Sequence, residues 1–198
     1  MLRQNQLAHA VFPLGDMEKQ TVRDIARANF MPVATKPDSR EVCFVPDNDY
    51  AAFIHRHCGL SGTPGDFIDT NGKLLGSHKG IVHYTIGQRK GLGAFGNPKY
   101  VININAGANT VTLGDEGTQF SKELVAENLN WIAFDALKGE IRAEVKIRCR
   151  AKPAMATVIP LDGNKIHVVF DQPQSAVTRG QGAVLYDGST VLGGGRII

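Results

Sequence analysis

The sequence predicts a mainly β protein with two N-terminal helices, in which a small central β domain is followed by a C-terminal β-barrel. Three observations carry this expectation. Helical periodicity is confined to the first 58 residues, and after Gly59 the apolar period changes from helical spacing to two. The dipeptides Asn71-Gly72, Asp162-Gly163 and Asp187-Gly188 each fall between short apolar runs, the strongest short-range signal for a hairpin. Strands this short and evenly spaced favour a small closed barrel over an open sheet.

The elements follow in order. Asp16 is placed to cap a helix running to about Asn29, with Glu18 in its first turn and Arg27 in its last. Asp47 or Asn48 is placed to cap a second helix, in which Tyr50, Phe53, Ile54 and His57 share one face and Gly59 is the terminator. On that stripe His57 reads as a packing histidine. Phe67–Thr70 and Lys73–Leu75 then flank Asn71-Gly72. Ile81–Ile86, Tyr100–Asn105 and Thr110–Leu113 read as further strands, the last two joined around Gly107-Ala108-Asn109. A break falls near Gly114–Ser121. Residues 143–150 alternate without error, with Ala143, Val145, Ile147 and Cys149 on one side and Glu144, Lys146, Arg148 and Arg150 on the other. Met155–Ile159, Lys165–Phe170, Ala183–Tyr186 and Thr190–Leu192 complete the expected strands. No repeat of solenoid length and no low-complexity segment interrupts them.

Composition narrows the function classes. The chain has 198 residues, 42% hydrophobic and 21% charged, enough apolar content to bury a core. No apolar run approaches the roughly 18 residues of a membrane span, and the first twenty residues lack a secretory pattern. Cys43, Cys58 and Cys149 form no CxxC pair and are odd in number, which excludes a disulfide-stapled scaffold and favours a reducing cytoplasm. The net charge of +3 hides an uneven distribution: residues 70–114 contain five basic side chains and no acidic one. A positive surface there suits an anionic partner such as nucleic acid.

Three segments offer chemistry. Cys43 lies in KPDSREVCFVPD, where it is either a small packing residue or a thiolate stabilised by Lys36 and Arg40. GQRKGLG at 87–93 is a glycine-rich, doubly basic loop that lacks the order of a Walker A loop. Its glycines permit close backbone approach, and Arg89 and Lys90 supply charge for phosphate; the alternative is a tight turn with solvated cations. If 143–150 is one strand, Lys146, Arg148 and Arg150 lie about 6–7 Å apart on one face, near the phosphate spacing of a nucleic acid, unless that face is merely solvated. His55 and His57 diverge on their helix, no zinc spacing is present, and no metal site is expected. No Ser-His-Asp pattern can be picked out.

Five stretches together resemble the bacterial tRNA 2-thiouridylase family, which places sulfur on the wobble uridine of certain tRNAs. They are FPLGDMEKQTVRDIA at 12–26, ATKPDSREVCFVPDNDYAAFI at 34–54, PGDFIDTNGKLLGSHKGIVHYTIGQRKGLG at 64–93, LVAENLNWI at 124–132 and VTRGQGAVLYDGSTVLGGGRII at 177–198. The resemblance implies a piece of a longer protein: residues 1–58 as the tail of the catalytic domain carrying Cys43, 59–119 as a small central β domain, and 120–198 as a barrel similar to elongation-factor domain II. The family's SGGVDS phosphate loop and its first catalytic cysteine belong to an N-terminal ATP-pyrophosphatase domain, and neither has a counterpart in this sequence. ATP is accordingly expected to bind that domain and not this chain.

The family chemistry gives each part a role. ATP activates the 2-oxo group of uridine as an adenylate, a persulfide on the cysteine matching Cys43 delivers sulfur, and AMP leaves. The other cysteine assists and can end in a disulfide with Cys43. The resemblance makes Gly87, Gln88, Arg89, Lys90, Arg148, Cys149, Arg150 and Gln181 the tRNA-contacting residues, with the anticodon arm and a sulfur-donor protein as partners. Cys149 stands where the family more often has Tyr. A rival from a different class is a stand-alone RNA-binding β module in which Cys43 only packs.

Overall fold

The computed structural model describes residues 2–36, 45, 49–58 and 62–198. Two compact units form, one over residues 4–59 and one over residues 60–198 together with the first three residues. Cys43, the capping candidates Asp47 and Asn48, and the terminator Gly59 lie outside the described residues.

In the first unit, α1 (Gln4–Leu7) is a single turn and α2 spans Lys19–Ala28. The cap expected at Asp16 thus falls two residues later, on Glu18, whose side chain makes no capping bond. Its end is firmer. Met31 N–H reaches back to Ala26 O at 2.9 Å and Phe30 adopts φ +56, a Schellman-type stop with phenylalanine where glycine is usual. Asn29 Nδ2 also donates to Ile25 O at 2.8 Å. In α3 (Tyr50–Cys58), Asp49 supplies the N-terminal cap, its Oδ1 accepting Ala52 N–H at 2.9 Å. His57 folds back on its own helix, stacked on Phe53 at 4.1 Å with Nδ1 near Phe53 O.

The second unit opens with a four-stranded sheet, ordered β2-β1-β4-β3, from β1 (Gly65–Ile68), β2 (Leu74–His78), β3 (Lys99–Asn105) and β4 (Thr110–Asp115). The β1–β2 turn is the one the sequence announces: Gly72 takes φ +82, and Asp69 Oδ1 accepts both Asn71 N–H and Lys73 N–H. Phe67, Tyr84, Leu92, Val101, Val111 and Leu113 form its core. Buried His78 ties it together. Its Nδ1 accepts Gly80 N–H at 3.0 Å, so Nε2 carries the proton and donates to Asn109 O at 3.2 Å. Asn109, at φ +50, in turn donates to Thr63 O and Pro64 O.

Ile81–Ile86 is not a strand. Ile81–His83 forms one 3-10 turn, because Gly80 at φ +120 swings the chain away from the sheet while Tyr84 drops into the core. Of residues 81–86 only Tyr84 is buried, so the apolar spacing that suggested alternation does not correspond to a strand face.

Six strands close the barrel in the order β10-β5-β8-β7-β6-β9. These are β5 (Phe120–Trp131), β6 (Ile141–Lys146), β7 (Ala154–Leu161), β8 (Lys165–Ser175), β9 (Gly182–Asp187) and β10 (Thr190–Ile197), with every neighbouring pair antiparallel. Closure leaves no free edge. Inward residues include Ala143, Val145, Val158, Ile166, Val168, Phe170 and Leu185. β5 was not expected at all from the sequence. The alternation of 143–150 holds for burial only as far as Ile147; β6 itself ends at Lys146, where its pairing with β9 stops. Arg148, Cys149 and Arg150 lie in a turn closed by Ala151 N–H to Arg148 O at 3.1 Å, so the expected row of three cations on one strand face does not form.

Candidate RNA-contacting surface

The GQRKGLG loop leaves the 3-10 turn and runs to β3. Gly87 N–H bonds Val101 O at 2.7 Å and Val101 N–H bonds Gln88 O at 2.9 Å, which staples the loop's start to the sheet. Gln88 braces it from inside: Oε1 accepts Thr85 N–H at 3.0 Å, and Nε2 donates to Lys90 O at 2.9 Å. Leu92 is buried and anchors its far end. Arg89 and Lys90 are thereby held on a braced loop, exposed, and without an ion pair among the described residues.

Gly87 also faces the barrel. A Cβ there would sit 2.4 Å from the Ala176 methyl carbon and 3.9 Å from Arg148 Nη2, and its φ of +84 independently favours glycine. Segments far apart in sequence, around Gly87, Arg148 and Ala176, therefore meet at this point. Arg148 Nη2 donates to Ala176 O and, at 3.0 Å, to Thr178 Oγ1. Thr178 Oγ1 itself donates to Ala176 O at 2.8 Å, and Ala176, buried at φ +54, donates its N–H to Gln119 O. Next comes a tight turn: Gln181 N–H reaches Thr178 O at 3.3 Å, with Gly180 at φ +85. Ile197 N–H to Gln181 O and Gly180 N–H to Ile197 O, both 2.8 Å, fix its base to β10.

The structure thus brings Gly87 and Arg148 together, with Gln88, Arg89 and Lys90 following on the braced loop and Gln181 on the 178–181 turn. Cys149 and Arg150 are exposed in the turn after β6, and Cys149 is a free thiol. Sequence reasoning missed Ala176, Thr178 and Arg179; the basic residue ahead of Gly180 in VTRGQG was the available signal. Elsewhere several cations are spoken for: Lys99 pairs with Asp115 at 2.8 Å, Arg142 with Asp171 and Arg196 with Glu127. Arg89, Lys90, Arg150 and Arg179 have no such partner among the described residues. No group of three or more His, Cys, Asp and Glu side chains able to hold a metal occurs among the described residues. No helix among them is long and apolar enough to cross a membrane.

Comparison with known proteins agrees across the chain. Residues 1–47 match the tRNA methyl transferase HUP domain, 51–115 the tRNA methyl transferase PRC-barrel domain, and 121–197 the aminomethyltransferase beta-barrel domain. These are the successive parts of one class of tRNA-modifying protein. The chain is 52% identical over 195 residues to a tRNA-specific 2-thiouridylase of Acetivibrio thermocellus, and 50% identical over 197 residues to one of Clostridioides difficile. Those alignments take in 98% and 99% of this chain but 54% and 55% of the relatives, so the chain spans about half their length. The chain belongs to the tRNA-specific 2-thiouridylase family.

Proposed function

We propose that this chain is the part of a tRNA 2-thiouridylase that grips the anticodon arm and carries the sulfur-bearing cysteine. Its parts are a catalytic-domain tail (1–58) with Cys43, a central β domain (59–119) and a barrel (120–198). The observation that carries the reading is the junction of Gly87, Ala176 and Arg148, where two glycine-rich basic segments from separate β modules abut. RNA-binding surfaces are built this way, from cations held on rigid loops that meet backbone phosphate.

Cys43 takes the persulfide role. Its terminal sulfur attacks C2 of an activated uridine, the C–O bond to the activating group breaks, and cleavage of the S–S bond leaves the new sulfur on the base. That cleavage requires a second thiol to take up the Cys43 sulfur as a disulfide. The chain offers no SGGVDS loop to cradle ATP phosphates, so activation belongs to residues outside it. A protein that hands over persulfide sulfur is the second partner, and a cytoplasmic setting suits both the thiol chemistry and tRNA.

The test is a salt titration of tRNA filter binding. Each phosphate neutralised contributes about 0.7–0.9 to the slope of log affinity against log salt. Changing Arg89 and Lys90 together to Ala flattens that slope by about one to two units, while changing Lys138, in the loop between β5 and β6, leaves it unaltered. Equal slopes for all three proteins would remove the loop from the RNA-contacting surface.

A further inference from the structure

We propose that Arg148 is a positioning residue and that Arg179, at the apex of the 178–181 turn, is the cation that meets phosphate there. The proposal rests on the tRNA reading above and redistributes roles within it. Arg148 Nη2 is committed to two acceptors, Ala176 O and Thr178 Oγ1, both on the segment that leads into the turn. Swinging Nη2 out to a phosphate would strip a buried residue's carbonyl of one of its two donors. Staying in, it holds Ala176 against Gly87 and so sets the braced 87–90 loop beside the 178–181 turn.

Arg179 has the opposite situation. The turn that carries it is fixed at both ends, by the Arg148–Ala176–Thr178 bonds on one side and the two backbone bonds to Ile197 on the other. Its side chain is exposed and makes no ion pair among the described residues. A cation on a rigid apex loses little freedom on meeting an anion, and guanidinium geometry matches the oxygens of a phosphodiester. The occupant is thus a phosphate of the RNA backbone, read without base specificity.

The experiment separates charge from position by salt titration of tRNA binding with the whole chain. Arg179→Gln lowers the slope by about 0.7–0.9, the loss of one phosphate contact. Arg148→Gln keeps the wild-type slope but weakens binding by about three- to tenfold at every salt concentration, as loss of hydrogen bonds does. Thr178→Val, which changes no charge, gives the same uniform loss, and combining it with Arg148→Gln adds little because both break one latch. If Arg148→Gln fails to fold, Thr178→Val and Arg179→Gln still decide the matter. A full-unit loss of slope in Arg148→Gln, an unaltered slope in Arg179→Gln, or wild-type affinity in Thr178→Val overturns the proposal. Wild-type protein that retains no tRNA at low salt overturns the tRNA reading along with it.

Discussion

Arg142, on β6, reaches across the barrel surface to Thr157 on β7 and Asp171 on β8, binding the carboxylate through both guanidinium nitrogens at 2.8 and 2.5 Å. That hydrogen-bonded fork holds the Asp171 carboxyl below the usual carboxylate range and raises the guanidinium in turn. Asp69 moves the same way, first through Lys73 N–H and then through Asn71 N–H. A carboxyl whose folded pKa lies below its unfolded value stabilises the fold above about pH 4, and that contribution disappears as pH falls through the folded value. Thermal unfolding followed against pH should be insensitive to these groups near neutrality and decline in acid. Asp171→Asn should soften the acid decline, and an unchanged acid limb would mean that the fork contributes nothing to the fold.

At the scale of elements, β10 carries Gly193-Gly194-Gly195 where the barrel closes against β9 and β5. A Cβ on Gly194 would fall 2.5 Å from Ala183 O, and one on Gly195 would fall 2.7 Å from Glu127 O. The triplet lets three backbones approach more closely than side chains allow, so Gly194→Ala should cost about 1–3 kcal/mol in urea unfolding. No loss would indicate that the strands have room to part. The hairpins of β1–β2, β7–β8 and β9–β10 were legible because their turn dipeptides impose the geometry locally. β5 was not legible. Along Glu123–Asn128 its residues mix charge with apolar side chains, Asn128 takes φ +54, and the register slips against both β8 and β10, so no clean alternation survives in the sequence. The error at Ile81–Ile86 has a different root: Gly80, at φ +120, turns the chain out of the sheet, and of these six residues only Tyr84 is buried. Arg148 was misplaced because alternation continued past the last residue that had a pairing partner.

For the whole molecule, the two basic segments were visible as charge and glycine, but their meeting was not. That depends on Ala176, an apolar residue with nothing in its local sequence to advertise a contact with Gly87. The role proposed for Cys43 lies one level higher still, since the proposed chemistry assigns activation of the uridine to residues outside this chain. Joining the chain to the part of the Acetivibrio thermocellus relative that it does not cover allows that role to be measured directly, as 2-thiouridine content of tRNA by mass spectrometry. The chimera should thiolate tRNA with Cys43 in place and with Cys58→Ser. With Cys43→Ser it should lose thiolation while keeping tRNA affinity, because removing a nucleophile abolishes chemistry without altering contact area. Equal thiolation by the Cys43 and Cys43→Ser chimeras would contradict the account.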